Sequence, residues 1–215
     1  MEAKARYYEK PWLKFYPRGV PETIEIPDKS LPQVFDEVAA KYSGKDAIIF
    51  YGNKISYGKL KEEVDRFASA LHELGIGKGD KLALYLLNSP QYIIAYFGAL
   101  KAGATLTPIS PVYTSIEVKH QLEDSEAESI VCQDFLYENV ERSGVKLKNV
   151  IITDISDYLP MSKKLAGKSV LGRYGKTEAL SPKTIESLGF QPFQKLLKKY
   201  PPNPPKIEIN AREDI

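Results

Sequence analysis

The stretch from Gly79 to Pro111, GDKLALYLLNSPQYIIAYFGALKAGATLTPISP, constrains the fold more than any other part of the chain. Lys81 to Leu87 is an apolar run of strand length. Ser89 is a capping residue, and Pro90 suits a first helical turn, where the backbone N–H groups have no partner inside the helix. Tyr92, Ile93, Ala95, Tyr96, Phe97, Ala99 and Leu100 leave almost no polar face, which predicts a nearly fully buried helix from Pro90 to Lys101. Gly103 ends it, and Ala104 to Pro108 begins a second strand. Two strands joined by a buried helix make a right-handed parallel crossover, the unit from which open α/β sheets grow.

The alternation continues downstream. Thr114-Ser-Ile-Glu117 is a capping box that opens a helix with Val118 and Leu122 inward. Ser129 to Cys132 and Val150 to Thr153 are strand-length apolar runs, separated by a short helix from Phe135 to Val140 capped by Asp134. Upstream, Leu31 to Tyr42 is amphipathic, with Val34, Phe35, Val38 and Ala39 on one face. Ala47 to Phe50 and Ile55 to Tyr57 flank Gly52-Asn53, a hairpin signal. A longer helix then places Leu60, Val64, Phe67, Ala68, Leu71 and Leu74 inward and Lys59, Glu62, Glu63, Asp65 and Glu73 outward, until Gly75 stops it. The fold class that follows is α/β: an open, mostly parallel sheet flanked by helices, with an N-terminal arm and a small hairpin.

Four regions divide the chain. Residues 1–29 form an arm whose prolines forbid long regular structure, and whose Tyr7, Tyr8, Trp12, Phe15 and Tyr16 are expected to lie across the domain surface. Residues 30–153 form the α/β subdomain. Residues 154–205 form an irregular basic segment, a helix near Phe190 to Tyr200 and a stiff Pro-rich linker, and residues 206–215 begin a further part. A net charge of +2 over 215 residues gives no reason to expect a nucleic-acid partner. Cys132, the one cysteine, lies in an apolar run and reads as a buried structural thiol. No stretch is apolar enough to span a bilayer and the N-terminus lacks the core of a signal peptide, so the expected location is the cytoplasm.

Several patterns that could carry chemistry have simpler explanations. Gly75-Ile-Gly77-Lys-Gly79 precedes a strand instead of following one, so it reads as a helix stop and a turn, not a dinucleotide fingerprint. Gly167-Lys168-Ser169 and Gly175-Lys176-Thr177 each lack the earlier glycine of a phosphate loop, where Ser162 and Val170 stand. His72 falls on the solvent side of its helix. Glu117 and His120 share a helix face, but a carboxylate-bridged metal site needs a second such pair, and a solvated face explains them better.

The ordered series Gly79-Asp-x-Leu-Ala83, Leu87-Asn-Ser-Pro90, Ala99-Leu-Lys-Ala-Gly-Ala104 and Pro108-Ile-Ser-Pro111 resembles the N-terminal domain of acyl-CoA synthetases, in the adenylate-forming ligase superfamily. Ile55-Ser-Tyr-Gly-Lys-Leu60, Arg66 to Leu71, Gly75 to Asp80, Pro111-Val-Tyr113 and Gln121 to Ser125 extend the likeness over most of residues 11 to 153. Tyr16 to Pro21 and Asp157-Tyr-Leu-Pro160 are similar to segments of long-chain fatty-acyl members. The resemblance implies an ATP-dependent ligase that converts a carboxylate to an acyl-adenylate and then to acyl-CoA, using ATP, Mg2+ and CoA. It also implies that the phosphate loop follows a segment like Ile209 to Ile215. The chain is therefore expected to be an incomplete N-terminal domain, inactive alone, whose partner is the C-terminal portion of the same enzyme and whose substrate in the whole enzyme is a fatty acid. The alternative is a non-catalytic binding or scaffold domain of the same fold.

Tyr174-Gly-Lys-Thr-Glu178 matches the motif by which the family holds AMP and magnesium, but it lies in an irregular segment with no phosphate loop before it. It is read as coincidence, so no catalytic, cofactor-binding or metal-binding residue is assigned in this chain. Two further contacts are expectations: a homodimer, and a weak peripheral contact with an anionic membrane. In the second half Lys163, Lys164, Lys168, Arg173, Lys176, Lys183, Lys195, Lys198 and Lys199 outnumber Asp157, Glu178 and Glu186, with Phe193, Leu196 and Leu197 interleaved.

Overall fold

A computed structural model describes residues 7–160, 163, 180 and 182–214. In chain order its elements are α1 (Leu31–Lys41), β1 (Asp46–Phe50), β2 (Asn53–Ser56), α2 (Tyr57–Glu73), β3 (Lys81–Tyr85), α3 (Pro90–Ala102), β4 (Thr105–Pro108), α4 (Ser115–Asp124), β5 (Ser129–Gln133), α5 (Tyr137–Ser143), β6 (Asn149–Thr153), α6 (Pro182–Ser187), β7 (Gln191–Pro192) and α7 (Phe193–Lys199). Single 3-10 turns cover Pro11–Phe15, Asp134–Leu136 and Ile155–Tyr158.

The crossover unit folds as its sequence dictates. The strands pair in the order β4-β3-β5-β6-β7, and every neighbouring pair is parallel. The four strands expected from the sequence lie in this one sheet. The fifth, β7, pairs with Ile151 and Ile152, where the sequence predicts the start of a helix near Phe190 to Tyr200. Pro192 sits in extended backbone and the helix starts only at Phe193. The hairpin β1–β2 stands apart as a two-stranded antiparallel unit. Its turn is Tyr51-Gly52, both with positive φ (51° and 94°), so Asn53 already belongs to β2.

Strand alternation sorts the side chains into two cores. Leu82 and Leu84 of β3, Val131 of β5 and Ile151 of β6 pack with α1, α2, α3 and α7. Ala83, Tyr85, Ile130, Cys132, Val150 and Ile152 pack on the opposite side with α4 and α5. The capping box of α4 forms as expected, with Thr114 N donating to Glu117 Oε2 at 2.8 Å. Val118 and Leu122 point inward.

Four expectations are corrected. Helix α3 is not buried all round: Pro90, Gln91, Ile94, Ala95, Gly98, Ala99 and Ala102 are buried, whereas Tyr92, Ile93, Tyr96, Phe97 and Leu100 are half-buried. The outer aromatics cover one another and α1 instead of entering the core, with Phe97 stacked on Phe35 at 4.4 Å and Tyr92 on Tyr96 at 6.3 Å between ring centroids. Asp65, expected outward, is buried because Lys101 and Lys61 reach it, each with Nζ 2.5 Å from a carboxylate oxygen; Lys101 also contacts Asp36 at 2.5 Å. Asp134 does not cap a helix; it opens the 3-10 turn before α5 and is itself buried. Most of the arm's rings do not pack on the domain: Tyr7, Tyr8, Phe15 and Tyr16 are exposed, and half-buried Trp12 meets Tyr7 at 5.2 Å.

Stability should follow these placements. Phe67 is fully buried, 4.8 Å from the Phe193 ring, so Phe67→Ala is expected to cost about 3–5 kcal/mol. Half-buried Phe97→Ala should cost about 2 kcal/mol. Exposed Lys59→Ala should change stability by less than about 0.5 kcal/mol. Urea denaturation midpoints of the three variants should fall in that order.

Candidate functional site

In an open parallel sheet, ligands bind beyond the carboxyl ends of the strands, where successive crossovers diverge. Here the chain leaves β3 for β4 on one side and then returns to β5 on the other, so the switch lies between β3 and β5. Tyr85 ends β3, and its hydroxyl donates to Tyr113 O at 2.7 Å. Asn139 Nδ2 from α5 donates to the same hydroxyl at 3.1 Å and to Tyr113 O at 3.3 Å. Burial raises the Tyr85 pKa, so the phenol stays protonated and ties the loop after β4 to the sheet.

The other face of this edge is polar and closed. Gln133, the last residue of β5, donates from Nε2 to Asp134 Oδ1 at 3.0 Å and to Thr153 O at 2.9 Å. Gln91, in the first turn of α3, donates from Nε2 to Asp154 O at 2.8 Å. Burial, with the nearby Asp154 charge adding to it, raises the Asp134 pKa despite the Gln133 hydrogen bond. Asp154 accepts from Ser156 N and Oγ at 2.8 and 2.7 Å and so opens the turn to Tyr158. Tyr158 donates to Glu63 Oε2 at 2.8 Å, while its carbonyl accepts from Asn53 Nδ2 at 2.9 Å. Burial raises the pKa of both Glu63 and Tyr158.

Sequence reasoning singled out none of Gln91, Gln133 or Asn139, because a buried amide in an apolar context leaves no periodic signal, and it reached Tyr158 only through the family likeness of Asp157 to Pro160. The residues it did weigh fall elsewhere. Cys132 is buried, its thiol pushed well up by desolvation, and its Sγ lies 3.2 Å from Gln133 O, which makes it a structural thiol. His72 and His120 are exposed. Glu117 is engaged by its own helix cap through Thr114 Oγ1 and N, both at 2.8 Å. Gly77 N donates to Asp80 Oδ2 at 2.8 Å, which closes the Gly75 to Gly79 stretch as a turn. The segments 167–169, 174–178 and 175–177 lie outside the described residues. Among the described residues no group of three or more His, Cys, Asp or Glu side chains could hold a metal ion. A cleft of about 400 Å3 opens at the opposite, amino-terminal edge among Asp80, Lys81, Glu126, Glu128 and Lys148, where Lys81 pairs with Glu126.

The fold recurs in solved CoA ligases, of whose chains it covers about a third. A long-chain-fatty-acid-CoA ligase structure from Archaeoglobus fulgidus superposes with a TM-score of 0.70 at 22% identity, covering 93% of this chain and 36% of that one. A benzoate CoA ligase from Burkholderia xenovorans LB400 gives 0.63 at 20% identity, over 84% of this chain and 30% of that one. The chain belongs to the AMP-binding enzyme family, whose pattern matches residues 35–207. Relatives include the long-chain-fatty-acid–CoA ligase of Bacillus subtilis (strain 168), 34% identical over 163 residues, which are 73% of this chain and 28% of the relative. That of Yersinia pestis is 36% identical over 193 residues, 84% of this chain and 34% of the relative. The chain thus spans about a third of the length of the curated relatives it matches.

The half-buried Glu63 carboxyl sets a pH dependence. An unfolded Glu loses its proton near pH 4, whereas native Glu63 holds it to higher pH, so the native state binds more protons and stability falls as pH rises through that interval. Glu63→Gln keeps an oxygen for the Tyr158 hydroxyl without the charge. It is expected to be more stable than the wild type at about pH 7. The difference should shrink as pH falls to about 4, measured by urea denaturation at each pH.

Proposed function

We propose that this chain is the amino-terminal portion of an ATP-dependent fatty-acid–CoA ligase. The observation that carries the reading is the family match over residues 35–207, joined to relatives that are long-chain-fatty-acid–CoA ligases about three times as long. In the whole enzyme the substrate carboxylate attacks the α-phosphate of ATP to give acyl-AMP and pyrophosphate. The CoA thiol then displaces AMP to give acyl-CoA.

ATP, Mg2+ and CoA are the groups this chemistry uses. We assign no residue of this chain to hold them; Tyr174 to Glu178, which matches the family's AMP and magnesium motif, lies outside the described residues. Residues 30–153 serve as the structural half against which the nucleotide-binding part folds, with residues 1–29 as an arm, 154–205 as the connecting region and 206–215 as the lead into that part. The partner is the remaining polypeptide of the same enzyme.

Contact with an anionic membrane keeps only part of its basis. Lys195, Lys198 and Lys199 are exposed, but Phe193, Leu196 and Leu197 are in the core and not free to enter a bilayer. Such a contact would be electrostatic and salt-sensitive. Among the described residues no helix is long and apolar enough to cross a membrane.

The test is ATP–pyrophosphate exchange in the presence of a fatty acid. The purified 215-residue chain is expected to show none, and the protein extended through a downstream phosphate loop is expected to show it. Exchange by the short chain would assign a catalytic role to Tyr174 to Glu178. A stop codon directly after residue 215 in the natural gene would favour the scaffold alternative.

A further inference from the structure

Among the described residues, four buried side-chain atoms have no hydrogen-bond partner in the protein: Ser89 Oγ, Gln91 Oε1, Gln133 Oε1 and Thr153 Oγ1. They belong to one place. Ser89 and Gln91 flank Pro90 at the start of α3. Gln133 and Thr153 are register partners at the last residues of β5 and β6. Val131 and Ile151, two residues earlier in each strand, lie in the core under α3, so strand alternation puts Gln133 and Thr153 on that same side.

The two amides have fixed orientations. Gln133 Nε2 donates to Thr153 O and Gln91 Nε2 to Asp154 O, two consecutive carbonyls at the end of β6. Each amide therefore spends its nitrogen on the same stretch of backbone and leaves its oxygen beside it. Gln91 and Gln133 are 0% exposed, Thr153 2% and Ser89 7%, so bulk solvent satisfies none of them. Buried polar atoms left in this state are costly and rare in folded proteins.

The chemistry of the four atoms selects the ligand. Two amide oxygens only accept hydrogen bonds, and two hydroxyls both donate and accept. A cation would face the positive end of α3, and an anion would face the two amide oxygens. A small neutral molecule that donates and accepts meets both demands, and water is the one such molecule an enclosed polar site in a protein takes from solution. We propose that Ser89, Gln91, Gln133 and Thr153 form an internal water-binding site that fastens the first turn of α3 to the carboxyl ends of β5 and β6. The site holds Asp154 and the turn that leads to Tyr158 in register with the sheet. It is independent of the ligase reading.

Magnetic relaxation dispersion of water oxygen-17 and deuterium, measured on the 215-residue chain, counts waters held longer than molecular tumbling. The double variant Gln133→Leu/Thr153→Val should lose amplitude worth at least one such water, while Thr153→Ser should keep the wild-type value. An unchanged amplitude in a folded double variant would overturn the proposal. Should that variant fail to fold, Thr153→Val and Ser89→Ala separately, with water-to-side-chain Overhauser contacts at the Gln91 and Gln133 amide protons, give the same reading. Wild-type protein with no such contacts, or a crystal structure in which these side chains hydrogen-bond one another with no ordered water, would equally refute it.

Discussion

Helix α3 can lie against α2 only because residue 98 has no side chain. A Cβ at Gly98 would sit 2.8 Å from Phe67 Cδ1, closer than real contacts allow, and 3.3 Å from Val64 O, tighter than most. That approach lets Phe67 fill the space beneath α3 and meet Phe193 from the far end of the chain. The same two helices are tied by Lys101 and Asp65, a buried pair that Asp36 of α1 and Lys61 extend. Removing one partner would strand the other charge in a poorly solvated place, so the pair specifies how the helices meet more than it adds to net stability.

That interface shows what was readable in advance and what was not. The strands declared themselves because β3, β5 and β6 are buried on both faces and so read as continuous apolar runs. The two-residue strand β7 was hidden, because its pairing depends on a neighbour some forty residues earlier and not on its own composition. Asp65 was misplaced for a related reason. Helical periodicity sets a polar residue outward by default, and here Lys101 from another helix, with Lys61 from the same one, lets that position turn inward. The half-buried outer face of α3 follows from the same gap, since periodicity counts apolar residues but not the neighbours available to cover them.

The candidate site was less legible than the fold. The residues that organise the carboxyl edge are amides and phenols, whose roles come from register and not from spacing along the chain. Gln133 meets Thr153 because β5 and β6 pair in parallel, and Asn139 meets Tyr85 because α5 follows a single 3-10 turn at the end of β5. None of these groups is a nucleophile beside a base, and the carboxyls Glu63 and Asp134 are pushed toward the neutral form. The edge is held together by side-chain hydrogen bonds to backbone carbonyls in the loop after β4 and at the end of β6.

The end of the described chain returns to the start of the sheet. Arg66 holds Tyr200 O at 2.9 Å, Lys78 holds Glu208 O at 3.1 Å and Asp214 at 2.8 Å, and Ile207 Cγ2 would lie 3.0 Å from a Cβ at Gly103. Each contact joins residues after 199 to a helix or turn formed before 104. Single exposed ion pairs such as Lys78–Asp214 are worth little by themselves. Their effect here comes from sequence order: four of the five residues from Pro201 to Pro205 are proline, which stiffens the segment, so fastening both of its ends fixes the path between them. Residues 206–214 are therefore carried by the parallel sheet and its helices.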